Sequence, residues 1–402
     1  MKKFHNILFC TLFLLCSFVS LGQAPSRQKY EFERNLPGYA HELISDLTYP
    51  MAWGNSPIKD FAQWRKAARE KVFDCMLSPP PPPAGDYEVK ILAEEQRDGY
   101  LARKIEVRLS KYYSMPALLL IPDGEGPFPA INCLHDHGAH LYIGKEKMIR
   151  PIVSERSVDG QPKSEDEIVL EDAQAWVASL YEGQYLGDYL ARHGYVVFSA
   201  DAPMWGERGQ KEGANRERYD VIAGNMMMYG IDLSAYMTYD DISGTEFLAS
   251  LPEVDASRIG CIGFSMGAYR AWMLASLCDL IKASVSICWM VTTDEQMSLK
   301  YSRTENGGFA NCIPGLRRYL DYPHIASMAC PKPMLFIGGS RDKLFPPAGV
   351  GKAYDYMHSV WKSQDAENQL ITELWDMPHS CPILSHENSL AFFNKHLKML
   401  TR

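Results

Sequence analysis

The chain has 402 residues, 46% of them hydrophobic, which suits one large α/β domain with additions or two domains of ordinary size. Its net charge of −8 argues against polyanionic partners such as nucleic acid and favours a neutral or polar small-molecule or polysaccharide substrate.

Residues 1–22 read as a secretory signal peptide. Lys2 and Lys3 precede an uncharged apolar run from Ile7 to Val19, and small residues, Ser20 and Gly22, stand three and one places before Gln23. The run is shorter than the roughly 20 residues that span a bilayer, and no later segment offers a span, so an exported protein, periplasmic or extracellular, is expected. Export permits disulfides, yet the cysteines beyond residue 22 are scattered without a C-x-x-C pair.

Residues 23–84 form an expected N-terminal helical extension and spacer. Ser56-Pro57 offers a helix start, with Phe61, Trp64, Ala68, Val72 and Cys75 recurring at helical spacing behind it. Pro79 to Pro83 end the helix and favour a stiff extended stretch.

From residue 85 to 402 the pattern is that of a catalytic α/β domain. Tyr87 to Leu92, Ala102 to Leu109, Met115 to Ile121 and Ala130 to Leu134 read as strands, antiparallel in character. Helix Leu180 to Arg192, strand Val196 to Ala200, helix Asp241 to Leu251 and strand Ile259 to Phe264 follow. Beyond a helix after Gly267 come strands Ala283 to Cys288 and Pro333 to Ile337, helix Ala348 to Trp361, strand Gln369 to Trp375 and helix His386 to Leu397. Such alternation indicates a mostly parallel central sheet with helices on both faces. Two insertions, 140–175 and 291–330, show no clear period and are expected to frame a pocket.

Gly263-Phe264-Ser265-Met266-Gly267 places a serine on a strand-to-helix turn, the G-x-S-x-G arrangement of a nucleophile. A serine hydroxyl needs a base, and the base needs a third group to hold its tautomer. Asp342 follows one strand and His379 the next, in nucleophile, acid, base order; Asp376 is the second choice for the acid. Acyl transfer also needs oxyanion donors. The backbone N–H of Met266 is one, and that of His137, in Leu134-His135-Asp136-His137-Gly138 after an earlier strand, is the other. His135 is expected to support that loop. His135, His137 and His140 spell H-x-H-x-x-H, but Ala139 stands where the metallo-hydrolase pattern has aspartate, and the serine chemistry needs no metal, so neither metal nor cofactor is expected.

Over roughly Tyr87 to Arg402 the chain resembles the α/β-hydrolase superfamily. The Leu134 to Gly138 stretch, Gly194-Tyr195-Val196-Val197 and Asp201-Ala202-Pro203-Met204-Trp205-Gly206-Glu207-Arg208-Gly209 look like the secreted bacterial acetyl xylan esterase-like branch, abhydrolase family 7. The resemblance implies a triad of Ser265, Asp342 and His379 and an ester substrate of carbohydrate type. Glu207 and Arg208 are expected to pair and fix their loop, and Ala139 replaces a second glycine often found in the oxyanion loop. Competing readings are a prolyl-oligopeptidase-like peptidase, for which the residues before Tyr87 are too few to form a propeller, and another ester hydrolase. A glucuronoyl esterase would carry arginine just beyond its nucleophile, where Met266 stands. From a different class, a catalytically silent carbohydrate-binding protein on a hydrolase fold is the alternative.

Overall fold

Apolar residues on successive strand positions decide the central layer. In a computed structural model, which describes residues 32–33, 35–158, 160–209, 219–298, 300–302 and 306–398, nine strands form one sheet. They are β1 (Val89–Arg97), β2 (Tyr100–Val107), β3 (Met115–Pro122), β4 (Phe128–Leu134), β5 (Val196–Ala200), β6 (Val254–Phe264), β7 (Ile281–Ile287), β8 (Met334–Gly339) and β9 (Leu370–Trp375). Their order is β9-β8-β7-β6-β4-β5-β3-β2-β1. Strands β5, β4, β6, β7, β8 and β9 are joined in parallel, whereas β1, β2 and β3 enter antiparallel; β4, expected antiparallel, instead runs parallel to both its neighbours, β5 and β6. This is the mostly parallel α/β-hydrolase sheet.

Side chains alternate across it. Ala117 and Leu119 of β3, Val196 and Phe198 of β5, and Met334 and Phe336 of β8 enter one apolar cluster; Leu118, Leu120, Val197, Leu335 and Ile337 enter the other. Both faces therefore need covering. Helices α1 (Phe61–Met76), α5 (Leu233–Ser250), α6 (Met266–Leu277) and α7 (Pro347–Ser363) supply Trp64, Phe247, Trp272 and Met357 to the first cluster. Helices α2 (Glu165–Leu180), α3 (Leu186–Arg192) and α8 (Ile383–Phe393) supply Val177, Leu190 and Phe393 to the second. A ten-residue helix, α4 (Tyr219–Met228), lies between β5 and α5 in sequence.

Several boundaries differ from the sequence reading. Helix α1 starts after Asp60, whose carboxylate accepts the Gln63 N–H at 2.8 Å, while the Ser56 hydroxyl is used four residues earlier by Ile58 N–H in a turn. Of the helix expected over 180–192 only Leu186–Arg192 is helical: α2 ends at Leu180, and the chain turns at Glu182 and Gly183, where φ is 52° and 81°, before α3 begins. The 140–175 insertion is helical in its last part: Ser164 and Glu167 cap α2 reciprocally, a box visible in the sequence as Ser-x-x-Glu. The proline run is docked, since Pro81 O accepts from Ser110 Oγ (2.9 Å) and Lys111 N–H (3.1 Å). The expected signal peptide lies outside the described residues. Among the described residues no helix is long and apolar enough to cross a membrane.

Candidate active site

Two glycines make the turn at Ser265. A Cβ on Gly263 would sit 2.1 Å from the Gly267 carbonyl, and one on Gly267 would sit 1.8 Å from the Leu134 oxygen, so only hydrogen fits at either place. Between them Ser265 holds φ 54° and ψ −124°, a conformation that a residue with a side chain rarely adopts. Its N–H donates to the Ile287 carbonyl (2.9 Å) at the end of β7, fixing the turn against the sheet.

Asp342 and His379 arrive on the loops after β8 and β9. These strands pair up to Gly339 opposite Trp375. Beyond them the chains stay together, Ser340 N–H donating to Trp375 O (2.8 Å) and Arg341 N–H to Met377 O (3.1 Å). A Cβ on Gly339 would lie 2.6 Å from the Met377 oxygen, which shows how closely the second loop passes. That passage brings His379 Nδ1 to 2.6 Å from Asp342 Oδ2 and its Nε2 to 2.9 Å from Ser265 Oγ. The other Asp342 oxygen accepts Leu344 N–H (2.8 Å). Asp376, the second acid candidate, is exposed and pairs with Arg341 at 2.8 Å.

The imidazole of His379 lies between the rings of Phe264 (4.8 Å) and Phe345 (6.0 Å). Burial pulls its pKa down, but the Asp342 hydrogen bond and charge, with Cys288 beside the ring, outweigh this and hold it above the ordinary histidine value. Cys288, expected inside a strand, sits just past β7 with φ 56° and donates its thiol to Ser380 O (3.5 Å). Burial raises its own pKa, which keeps it a neutral thiol. An imidazole held between a hydroxyl and a buried carboxylate can accept the hydroxyl proton at Nε2 while the carboxylate steadies the imidazolium.

The 135–138 loop borders the first turn of α6, since a Gly267 Cβ would also lie 3.0 Å from His135 O. Met266 opens that helix, where amide groups have no partner within the helix itself. His135 is fully buried: Nδ1–H donates to Asp136 O (2.9 Å) and Nε2 accepts Ala202 N–H (3.0 Å). Burial, then the Arg270 and Lys147 charges, push its pKa far below the ordinary value, so it is a neutral support. His137 Nδ1 accepts Ala139 N–H (2.9 Å), and its ring packs against Trp205 and Tyr219. His140 instead stacks on Trp176 and contacts Asp172 at 2.5 Å. His135 and His137 thus share the Trp205 ring, whereas His140 stacks on Trp176.

Sequence reasoning missed the lysines beneath this loop. Lys147, fully buried, donates to the carbonyls of Asp136 and His137, both at 3.1 Å. Lys145 places its ammonium among Asp201 (2.8 Å), Glu207 (2.6 Å) and Glu146 (2.7 Å). Burial alone would lower its pKa; the three carboxylates, Asp201 foremost, raise it well above the ordinary lysine value. Glu207 and Arg208 do not pair with each other as expected. Glu207 takes Lys145 and Lys104 (3.1 Å), while Arg208 takes Asp240 (2.6 Å) and Asp201 O (3.0 Å). The one sequence signal was Lys145-Glu146-Lys147, alternating charge inside an otherwise unpatterned insertion.

A cavity of about 480 Å³ is lined by residues of the other insertion, among them Phe309, Asn311, Arg317 and Tyr322, together with Leu233 of α5. Ser265 and His379 are not in its wall. It lies behind the reaction centre: Phe309 contacts Tyr219, which contacts His137, and Leu233 shares an apolar cluster with Met266. The 140–175 insertion lines a separate cavity of about 540 Å³, with Arg150, Ile152, Val153 and Arg156 in its wall, and its Lys147 also underpins the His135–Gly138 loop.

Comparison with known proteins gives a consistent family. The model of the abhydrolase family matches residues 33–362. A curated relative, "Putative hydrolase YtaP" of Bacillus subtilis (strain 168), is 28% identical over 279 residues, 69% of this chain and 82% of the relative. Among solved structures, a "putative acetyl xylan esterase" from Bacteroides fragilis NCTC 9343 superposes with a TM-score of 0.64 at 21% identity, covering 84% of this chain and 81% of that one. A glucuronoyl esterase from Solibacter usitatus superposes with a TM-score of 0.58 at 13% identity, covering 85% and 95%. At these identities the superpositions speak to the fold.

Proposed function

The chain belongs to the abhydrolase family, and on that footing we propose that it is an exported serine esterase that removes acetyl or other small acyl groups from carbohydrate esters. The observation that carries the reading is the unbroken contact from Asp342 through His379 to Ser265, 2.6 and 2.9 Å.

In this reaction Ser265 Oγ attacks the ester carbonyl as His379 Nε2 takes its proton. The carbonyl oxygen becomes negative and is received by backbone N–H groups, Met266 from the helix start and His137 from the facing loop. Collapse breaks the bond to the sugar oxygen, which leaves with the proton from His379, and the acyl group stays on Ser265. A water, giving its proton to His379, then attacks the acyl-enzyme and releases the acid, and the proton returns to Ser265. Asp342 keeps Nδ1 protonated throughout and steadies each imidazolium. No step calls for a metal.

Acetate release from acetylated xylan and from p-nitrophenyl acetate tests the activity; a folded protein releasing none from either is not this enzyme. Ser265→Ala is expected to abolish release with little change in melting temperature, and a fluorophosphonate probe is expected to label Ser265, whereas a silent carbohydrate-binding protein would stay unlabelled. N-terminal sequencing of the exported protein should begin at Gln23.

A further inference from the structure

A trans peptide bond points its C=O and its N–H in opposite directions. Whatever holds the carbonyl of one residue therefore aims the amide of the next. In the loop after β4 that holder is Lys147, whose Nζ donates to Asp136 O and His137 O at 3.1 Å each. Each oxygen has a second donor on the same interior side: His135 Nδ1–H for Asp136 O (2.9 Å) and Trp205 Nε1–H for His137 O (3.2 Å). Two successive carbonyls thus face one buried cation, and the amides of His137 and Gly138 are turned the other way.

Lys147 could instead serve only as counter-ion to Asp136. The distances favour the carbonyls, because the nearest Asp136 carboxylate oxygen is 3.5 Å away. That carboxylate also has its own donors, Tyr181 Oη–H at 2.7 Å and Trp176 Nε1–H at 3.2 Å. The ammonium further lies 4.8 Å above the Trp176 ring, which fixes its position from the side. Gly138 closes the turn with φ 59°, and a Cβ there would lie 2.2 Å from the same ring.

We propose that Lys147 is a positioning residue for acyl transfer: by gripping the carbonyl oxygens of Asp136 and His137 it aims the His137 and Gly138 amides toward the developing oxyanion, opposite Met266. The inference rests on the serine-esterase reading. The cation also polarises both peptide groups, which strengthens their N–H groups as donors. Without the ammonium the two carbonyls lose their shared donor and are left to separate ones, His135 for Asp136 O and Trp205 with the His140 N–H for His137 O, which loosens the common aim of the two peptide planes.

The test compares Lys147→Met, Lys147→Gln and Lys147→Arg with the wild-type chain in p-nitrophenyl acetate hydrolysis, in inhibition by an alkyl boronic acid that mimics the tetrahedral intermediate, and in thermal melting. Losing a well-placed donor typically costs about 10²–10³ in kcat, so a donor that is misaimed rather than lost should cost about ten- to a hundredfold. The Met and Gln variants should show that fall with KM within about twofold, and boronate affinity should weaken in step with kcat/KM. The Arg variant, which keeps a cation with several N–H donors, should recover most of kcat. If Lys147→Met does not fold, the Gln and Arg variants decide by the same correlation. A folded Met or Gln variant with kcat within twofold of wild type overturns the proposal, as does a fall in kcat with boronate affinity unchanged. Ser265→Ala keeps the two readings apart: if it retains wild-type activity the esterase mechanism fails, whereas if it is dead while the Lys147 variants are unimpaired only this inference fails.

Discussion

The pH at which Ser265 can lose its proton is set by the partners of His379. Only neutral imidazole accepts that proton, and the Asp342 carboxylate, helped by Cys288, holds the imidazolium form against burial. kcat/KM should therefore rise with pH through a midpoint above the ordinary histidine value of 6.5; a pH profile with p-nitrophenyl acetate measures it, and a midpoint at or below 6.5 would mean that Asp342 does not control the base. Asp342→Asn removes the carboxylate that raises the pKa, so the acid limb should move to lower pH while kcat falls by about 10⁴-fold. Gly267→Ala should prevent correct folding or activity, because its methyl meets the Leu134 oxygen at 1.8 Å, backbone that cannot step aside. At this scale the pentapeptide and the order Ser265, Asp342, His379 were legible in the sequence. That order also put Asp342 ahead of Asp376 as the neighbour of His379, although both follow strands; in the structure Asp342 meets His379 and Asp376 pairs with Arg341.

Individual segments owe their placement to charges that the sequence scatters. Lys145 is 56 residues from Asp201 in the chain, yet one ammonium among the Glu146, Asp201 and Glu207 carboxylates ties the 144–147 segment to the 201–209 loop. Gly206 allows this closeness, for a Cβ there would sit 2.6 Å from the Asp201 carboxylate oxygens. Lys145→Met would leave Asp201 buried without its cation, and breaking such a pair typically costs about 3–5 kcal/mol. Urea denaturation should show a loss of that size, and an unchanged midpoint would mean that the loop is held otherwise. Helix α2 escaped the sequence reading because its apolar residues, Ile168, Val169 and Leu170 among them, do not form one clean stripe and only Ala173 and Val177 are buried, although its Ser164–Glu167 cap was readable. Ser164→Ala should cost about 1 kcal/mol in the same experiment.

For the whole molecule, the N-terminal helix is part of the core. Trp64, Ala68, Val72 and Met76 of α1 join the apolar cluster formed by α6, α7 and one face of the sheet. Arg69 Nε–H also reaches Ser276 O of α6 at 2.6 Å. Trp64→Ala should lower stability by about 3–5 kcal/mol, as expected for emptying a buried aromatic site, and a change below about 1 kcal/mol in urea would show that α1 is peripheral. The strand and helix alternation over 85–402 was readable because it depends on local periodicity: a strand buried on both faces must be apolar throughout, and each crossover helix must carry one apolar stripe. The sequence by itself determined the α/β architecture, the turn that carries Ser265 and the chain order of its partners, since each is a property of a few neighbouring residues. Tertiary structure alone decided that Asp376 goes to Arg341, that Cys288 lies beside the His379 ring, and that Lys145 and Lys147 lie beneath the oxyanion loop. Those contacts join residues from separate strands and insertions, and a buried charge is tolerated only where the completed fold supplies its partners.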